Sequence, residues 1–586
     1  LILSYLIAGL PVLVKTWKNL LARKLFDENS LMTIATISAI IIGKTVEAVA
    51  VMLLYAVGEL LQHTAANSSK KAIKNLINEL PEFGNLLVDG KELRIHVGEI
   101  SIGNKLIVKT GERVPVDGTV EEGRAMLDMS SLTGESIPVE VEKGNEVLSG
   151  SINKNGVLII VAKRRASDSA FQRVVDLTAS ASKKKSKTEL TLRRFAEVYT
   201  PLVVFLAAAV ALVPPLFMGA PLLEWTYRAL VLLVISCPCA MLISVPLTYF
   251  SGIGALSKIG VLMKDVHVLE AAAKVSTVVF DKTGTLTSGL LKVKSISSFN
   301  GYDDAEIIHM ATLLAKNSNH PVANAIKEMH SQELEENQVS DFQEFPGFGI
   351  VGKIGERHVV LGNATHLERL GVACNIRSSD STTAYLAIDS EIAAVINLSD
   401  SIREDARGAI DTLRRIGIDE IIMLTGDKKP VAENVAEQIG VDRVFAEVLP
   451  EGKLTVVEKL HRRRHNSDER RVMFVGDGIN DAPSIVRSDV GVAMGGLGSD
   501  AATEAADVVI ADDSPSKAAI VIVHARKTRR IVLQNILFTI GAKAVFLVLG
   551  SIGIATMWQA VFADVGVTLI AILNAFRAFK LNDHSN

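Results

Sequence analysis

The sequence predicts a multidomain membrane protein: an α-helical transmembrane bundle interrupted by a β-rich insert and by a larger Rossmann-like α/β insert, which itself holds an α+β domain. Three observations lead there. Hydrophobic residues make up 48% of the 586 residues and mean hydropathy is +0.31, a balance that calls for bilayer or an unusually large core. The apolar residues collect in seven runs, at 1–14, 31–43, 46–62, 196–217, 226–250, 531–552 and 557–578, and several approach the ~20 residues that cross ~30 Å of hydrocarbon. Between them lie two polar stretches, 65–194 and 262–528, with strand patterns of two different kinds. A net charge of −3 leaves no basic field for nucleic acid, and three cysteines cannot form a disulfide framework.

The runs are joined by short polar links such as Gly43-Lys44-Thr45. Lys15, Lys18, Arg23 and Lys24 follow the first run, and Lys183, Lys184, Lys185, Lys187, Arg193 and Arg194 precede the fourth. Positive charge therefore gathers on the side of the inserts, which the positive-inside rule assigns to the cytoplasm. The chain opens at Leu1 within an apolar run, so a further N-terminal span is expected. In the first insert, Asn85–Val88 and Gly156–Val161 are β-branched runs punctuated by Asp89-Gly90 and Asp117-Gly118, read as turns. The second insert alternates strands such as Val275–Phe280 and Arg471–Val475 with helical patterns, the mark of a parallel sheet with crossover helices. Its middle, 288–397, has the hairpin-rich character of an inserted domain.

Asp281-Lys-Thr-Gly-Thr-Leu-Thr287 directly follows the strand 275–280. Parallel sheets bind ligands at the carboxyl ends of their strands, and a carboxylate there can attack a phosphoryl group to form an acyl phosphate. Two more acidic turns follow apolar strands, Thr425-Gly-Asp427 after 421–424 and Gly476-Asp477-Gly-Ile-Asn-Asp481 after 471–475. Converging hard oxygen ligands beside a phosphate suit Mg²⁺, and Lys453 supplies a cation for the transferring group.

These motifs resemble the signature of the P-type ATPases, and Thr133-Gly-Glu135-Ser136 matches that family's dephosphorylation loop. The resemblance covers nearly the whole chain. It implies membrane helices at 1–64, an actuator domain at 65–194, two helices at 195–261 and a HAD-like phosphorylation domain at 262–287 and 398–528. The remainder is a nucleotide-binding domain at 288–397 and the last two helices at 529–586. It further implies that ATP phosphorylates Asp281. Asp281, the Thr283 carbonyl and Asp477 would hold Mg²⁺, Thr425 and Lys453 would position phosphate, and Glu135 would orient the hydrolytic water. Ser318-Asn-His320-Pro resembles the His-Pro motif of heavy-metal members, and Gly347, Gly349 and Asn363 fall in the family's glycine-rich nucleotide pocket. Family members carry an acid five residues before that histidine, where this chain has Ala315.

Cys237-Pro-Cys239 sits inside an apolar run. Proline removes a helical hydrogen bond, and thiolates at i and i+2 are soft ligands that favour Zn²⁺, Cd²⁺, Pb²⁺ or Cu⁺ over Ca²⁺ or Na⁺. Lys543 and Asp564 are charges within apolar runs, where charge is expensive and normally functional. Asp564 is a hard ligand suited to a divalent ion, and Lys543 is read as its built-in counter-ion. The spacing Asn535, Lys543, Asp564-Val-Gly566 resembles the zinc/cadmium/lead subgroup of the type IB ATPases, and Glu59 corresponds to an acid that this subgroup keeps near the release side.

The expectation is a monomeric, multi-pass protein of a bacterial inner membrane that exports Zn²⁺, Cd²⁺ and Pb²⁺ with ATP and Mg²⁺. A Cu⁺ pump and a membrane-tethered phosphatase of the same phospho-aspartate fold are the alternatives. A passive metal channel would have no use for Asp281.

Overall fold

The computed structural model describes residues 1–586 apart from 22–27, 61–81, 130–137, 170–171, 173–186, 237–238, 319, 330–338, 346–347, 373–381, 465–469, 478–480, 496–504 and 582–586. The chain divides into two compact units. One comprises Leu1–Lys274, Asp507–Ala511 and Ile520–Asn586; the other comprises Val275–Ala506 and Asp512–Ala519.

The first unit contains the apolar helices α1 (Ile2–Leu21), α2 (Glu28–Ile41), α3 (45–60), α4 (Lys187–Met218), α5 (Leu222–Ile235), α6 (Cys239–Ser257), α7 (Ser516–Ser551, from Ile520 on) and α8 (Met557–Ala575). The stretches Thr188–Met218, Leu222–Ser257, Ser516–Ser551 and Met557–Phe579 are each long and apolar enough to cross a membrane. Leu, Phe and Val side chains stand exposed along α4 and α7, as lipid-facing positions do. Where helices meet, small residues let the backbones approach: Ala35, Ala39 and Ala48 lie in one buried cluster with Val231, Met557 and Val561. The run 226–250 holds parts of two described helices. α5 ends at Ile235 and α6 starts at Cys239, and residues 237 and 238 between them lie outside the described residues.

The β-rich part of this unit is an antiparallel sheet in the order Lys91–His96, Phe83–Val88, Lys105–Val108, Leu158–Ala162, Gly118–Glu122 and Glu146–Val147. A smaller sheet pairs Val139–Val141, Ala125–Asp128 and Ile152–Asn153. Alternate residues Leu106, Leu127, Leu158 and Ile160 fill the core between them. Asp117-Gly118 is not an exposed turn. Asp117 is buried and accepts the Ser149 N–H at 2.9 Å, and Gly118 opens a strand.

In the second unit the parallel strands are β1 (Val275–Asp281), β2 (Glu420–Leu424), β3 (Arg443–Phe445), β4 (Arg471–Gly476) and β5 (Val490–Met494), in the spatial order β5-β4-β1-β2-β3. Consecutive strands lead away from β1 to one side, and β4 then returns to its other side. That reversal opens a crevice at the carboxyl ends of β1 and β4. β1, β2, β4 and β5 are buried on both faces while β3 is the more exposed edge, and Phe280 and Phe474 are the largest fully buried side chains among the described residues. An antiparallel sheet in the order Thr287–Ser298, Glu391–Ile402, Thr382–Ile388, Arg357–Gly362, Gly349–Ile354 and Val339–Phe345 is inserted after β1.

Emptying one of these aromatic positions tests the packing. Phe474→Ala should destabilise the parallel-sheet domain by about 3–5 kcal/mol, read as a lower unfolding midpoint for that domain by scanning calorimetry. An unchanged midpoint would contradict the burial.

Candidate active site and membrane ion site

Asp281 is the last residue of β1 and is 4% exposed. Lys453, near the start of the helix Pro450–Arg464, donates to Asp281 Oδ1 at 2.6 Å and to Asp481 Oδ1 at 2.8 Å. One ammonium thus serves two buried carboxylates, and Asp477 follows β4 directly beside them. Burial, then repulsion from Asp481, pushes the Asp281 carboxyl up from 3.8 to about 7 against the pull of Lys453. Burial alone would lower the Lys453 ammonium, but Asp281 and Asp481 outweigh it and hold its pKa above the ordinary lysine value.

Glycines let the loops close around this cluster. Gly284 adopts φ +73°, and a Cβ there would sit 3.3 Å from Asp477 Cβ. A Cβ on Gly476 would lie 2.5 Å from Asp481 Oδ2. Thr283, between Asp281 and Gly284 in the loop, has extended backbone (φ −75°, ψ 128°). Thr425 follows β2, is 2% exposed, and its Oγ1 accepts the Asp427 N–H at 3.1 Å.

A second ammonium matches the first. Lys282 lies 2.5 Å from Asp427 and 3.8 Å from Asp400, and Asp400 also accepts from Thr287. Arg403 reaches the Gly284 carbonyl at 3.3 Å. Asp400, Arg403 and the Lys282 bridge were not anticipated, because they join segments more than a hundred residues apart. A further charged motif, Asp400-Ser-Ile-Arg403 at a strand end, was the available signal.

Magnesium suits this donor set. Carboxylates outnumber the Lys453 ammonium, burial and then repulsion from Asp481 raise the Asp281 carboxyl, and Asp481 Oδ2 has no hydrogen-bond partner among the described residues. Hard oxygens with uncompensated charge are what that ion prefers. No cluster of three or more His, Cys, Asp or Glu side chains is preassembled for a metal among the described residues, so a carbonyl or phosphate oxygen must complete the shell.

In the inserted domain a pocket of about 170 Å³ is lined by His320, Phe348, Gly349, Gly362, Asn363 and their neighbours. His320 caps the helix Pro321–Lys327, its Nδ1 accepting the Val322 N–H at 3.3 Å, which leaves Nε2 to carry the proton. Asn363 caps the helix Ala364–Arg369 by accepting the His366 N–H at 2.9 Å. His366 is buried against Phe345 and Phe348 and its pKa is lowered by that burial; it was not singled out from sequence. Gly347 and Glu135 lie outside the described residues.

In the membrane helices, Lys543 Nζ donates to Asp564 Oδ1 at 2.6 Å and to the Ile235 carbonyl at 3.2 Å. Ile235 ends α5, where carbonyls lack helical partners and attract cations. This ties Asp564 to the chain two residues before Cys237. Cys237 and the Cys239 side chain lie outside what is described. Glu59 pairs with Lys15 near the end of α3 that leads into the β-rich insert. At the other end of α3, Glu47 accepts from Tyr227, whose hydroxyl in turn accepts the Met557 N–H at 3.1 Å. Sequence reading missed Glu47, although it too is an acid within an apolar run.

The raised Asp281 pKa makes a prediction. Its ionised form is disfavoured in the folded protein, so its stability contribution is full below about 3.8 and is lost as pH rises through about 7. In Mg²⁺-free buffer the melting temperature of Asp281→Asn should therefore gain on the wild type between those limits and hold its advantage above them. A difference that does not vary with pH would contradict the assignment.

Residues 78–179 match the model of the P-type ATPase actuator domain, and residues 275–489 match that of haloacid dehalogenase-like hydrolases. A zinc-transporting ATPase of Synechocystis sp. is 47% identical over 98% of this chain and 80% of its own length. A cadmium, zinc and cobalt-transporting ATPase of Bacillus subtilis is 44% identical over 99% and 82%. A crystal structure of a zinc-transporting PIB-type ATPase in its E2.Pi state aligns with a TM-score of 0.64 and 32% identity, covering 99% of this chain and 94% of that one. With the Asp281 crevice, the inserted pocket and the multi-pass helices in a single chain, this protein belongs to the type IB, heavy-metal-transporting branch of the P-type ATPases.

Proposed function

We propose that the chain exports Zn²⁺ and Cd²⁺, with Co²⁺ and Pb²⁺ as further substrates, from the cytoplasm across a bacterial inner membrane. The single observation that carries this choice is the Lys543–Asp564 pair held at the Ile235 end of α5, beside the Cys-Pro-Cys segment. A carboxylate together with thiolates suits divalent soft or borderline ions. The two relatives described above are named for zinc and for cadmium, zinc and cobalt. Cu⁺ would gain little from Asp564.

In this reading residues 65–194 are the actuator, 288–397 the nucleotide domain, and 262–287 with 398–528 the phosphorylation domain. ATP binds in the pocket of His320, Gly347, Gly349 and Asn363. Asp281 attacks the γ-phosphorus in line; a bond forms from its carboxylate oxygen to phosphorus as the bond to the ADP oxygen breaks. Lys453 and Thr425 hold the phosphoryl oxygens, and Lys453 screens the charge that develops on them. Asp281, the Thr283 carbonyl and Asp477 would hold Mg²⁺, which supplies further positive charge there when bound. Glu135 then takes a proton from the water that attacks phosphorus and frees Asp281.

Cys237, Cys239 and Asp564 take the ion, displacing Lys543 from Asp564. After release Lys543 returns and neutralises the carboxylate, so that no external ion need be carried back. Glu59 was expected at the release side. Its pairing with Lys15 at the insert-proximal end of α3 supports a role on the cytoplasmic side instead, and Glu47 is the acid better placed to meet a departing ion.

ATP hydrolysis by the purified chain across Zn²⁺, Cd²⁺, Co²⁺, Pb²⁺ and Cu⁺ tests this reading. Stimulation by the divalent ions supports it, and stimulation by Cu⁺ alone would overturn it. Glu135→Gln should accept phosphate from ATP yet accumulate it, with turnover falling ~10²-fold or more; a variant that cannot be phosphorylated would contradict its role. Lys543→Met should uncouple Zn²⁺ uptake into vesicles from ATP hydrolysis more than Lys543→Arg does. Wild-type coupling in the Met variant would exclude a counter-ion role.

A further inference from the structure

Three helices carry polar residues at one-turn spacing: Ser244 and Thr248 on α6, Asn535, Thr539 and Lys543 on α7, and Asp564 and Thr568 on α8. Residues four apart share a helix face. Two cross-links bind these faces together. The one nearer the Cys-Pro-Cys break is Lys543 with Asp564 and the Ile235 carbonyl. The other is Asn535, whose Nδ2 donates to the Ala571 carbonyl at 3.0 Å and lies 3.5 Å from Thr248 Oγ1, and whose Oδ1 accepts from Asn574 at 2.8 Å. Asn535 and Lys543 are two turns apart on one helix, about 12 Å.

At the level between the cross-links lie Ser244 and Thr539. Both residues are 0% exposed, and neither hydroxyl has a hydrogen-bond partner among the described residues. Ser251 on α6 shares this state, but other hydroxyls of the same helices do not. A helical hydroxyl has the i−4 carbonyl within reach, and Ser236, Thr248, Thr528 and Thr568 all use it, at 2.6–2.8 Å. Ser244 and Thr539 leave that acceptor unused, although an unpaired buried hydroxyl is costly. Polar side chains kept open in this way, one helical turn from the lysine that holds an intramembrane carboxylate, are suited to hold water or an ion.

We infer that Ser244 and Thr539 form an oxygen-lined waiting site for a partly hydrated divalent cation, one turn on the cytoplasmic side of Asp564, with Asn535 as its gate. An ion that crosses Asn535 exchanges some of its waters for the two hydroxyls before it meets the carboxylate and the thiols. Hydroxyl and water oxygens suit Co²⁺ and Zn²⁺ better than Cd²⁺, and bind Cu⁺ poorly. Selection for charge and hardness thus precedes the thiol site. The inference rests on the reading of Asp564 and Cys-Pro-Cys as the transport site.

The test uses the full chain in lipid nanodiscs. The near-isosteric pair Ser244→Ala with Thr539→Val removes both hydroxyls, Thr539→Val alone removes one, and Thr539→Ser keeps both with a smaller side chain at 539. Two quantities are followed for Co²⁺, Zn²⁺ and Cd²⁺: the metal concentration for half-maximal ATP hydrolysis, and the rate of phosphoenzyme formation when metal is added to enzyme already mixed with ATP. Phosphorylation by inorganic phosphate without metal reports that each variant is folded. The double variant should need about ten-fold more metal and phosphorylate more slowly, with the deficit larger for Co²⁺ than for Cd²⁺, while Thr539→Ser stays near wild type. Wild-type metal dependence in the double variant would overturn the inference. So would equal losses in Thr539→Ser and Thr539→Val, which would assign the effect to packing. A wild-type chain that no divalent ion stimulates would instead overturn the proposed function.

Discussion

The ammonium of Lys453, shared between Asp281 and Asp481, is the interaction on which the catalytic unit depends. Two carboxylates cannot be buried side by side at a strand end without a cation, because each ionised group in a dry site repels the other. The bridge compensates part of that charge and leaves part of it standing, which is why burial still lifts the Asp281 carboxyl. A site in this state is held together in the resting protein and gains from any further positive charge. The constraint reaches back into the fold. It needs β1 and β4 as neighbours so that Asp281 and the Asp477–Asp481 turn meet, and it needs Gly284 and Gly476 where a Cβ would crowd the aspartates.

The membrane helices solve the same problem with the same chemistry. Lys543 sits against Asp564 as Lys453 sits against Asp281, and in both places the ammonium has a second acceptor, the Ile235 carbonyl or Asp481. A buried ion pair of this kind contributes little net stability. In the proposed function such a pair would have two states, paired within the protein or displaced by an incoming cation or phosphoryl group. In that function the two lysines answer to two different ligands, which would let one event wait upon the other.

Much of this was legible in the sequence because the informative motifs are local. Asp281, Thr425 and Asp477 each follow an apolar strand within a few residues, so their place at the sheet's carboxyl edge could be read from the run and the turn. Lys543 and Asp564 stood out because charge is rare in apolar runs. The parts that were not legible depend on distant pairing. Lys282 with Asp427 and Asp400, and Tyr227 with Glu47 and the Met557 N–H, join segments that no periodicity connects. Asn363 was read as a nucleotide contact, yet its carboxamide also caps a helix, a role visible only once that helix start is known. Asp117-Gly118 misled for a different reason: the dipeptide favours turns, but burial of Asp117 against the Ser149 N–H converted it into the start of a strand.

The central claim is that Asp281, among the acids gathered at this crevice, is the group that carries the phosphoryl. The most direct measurement is to trap the acyl phosphate with borohydride after brief exposure of the wild-type protein to ATP and Zn²⁺, and to locate the reduced residue by peptide mass spectrometry. Reduction converts a phosphorylated aspartate to homoserine, and the account places homoserine at position 281 alone. Homoserine at 427, 477 or 481, with position 281 still aspartate, would contradict it.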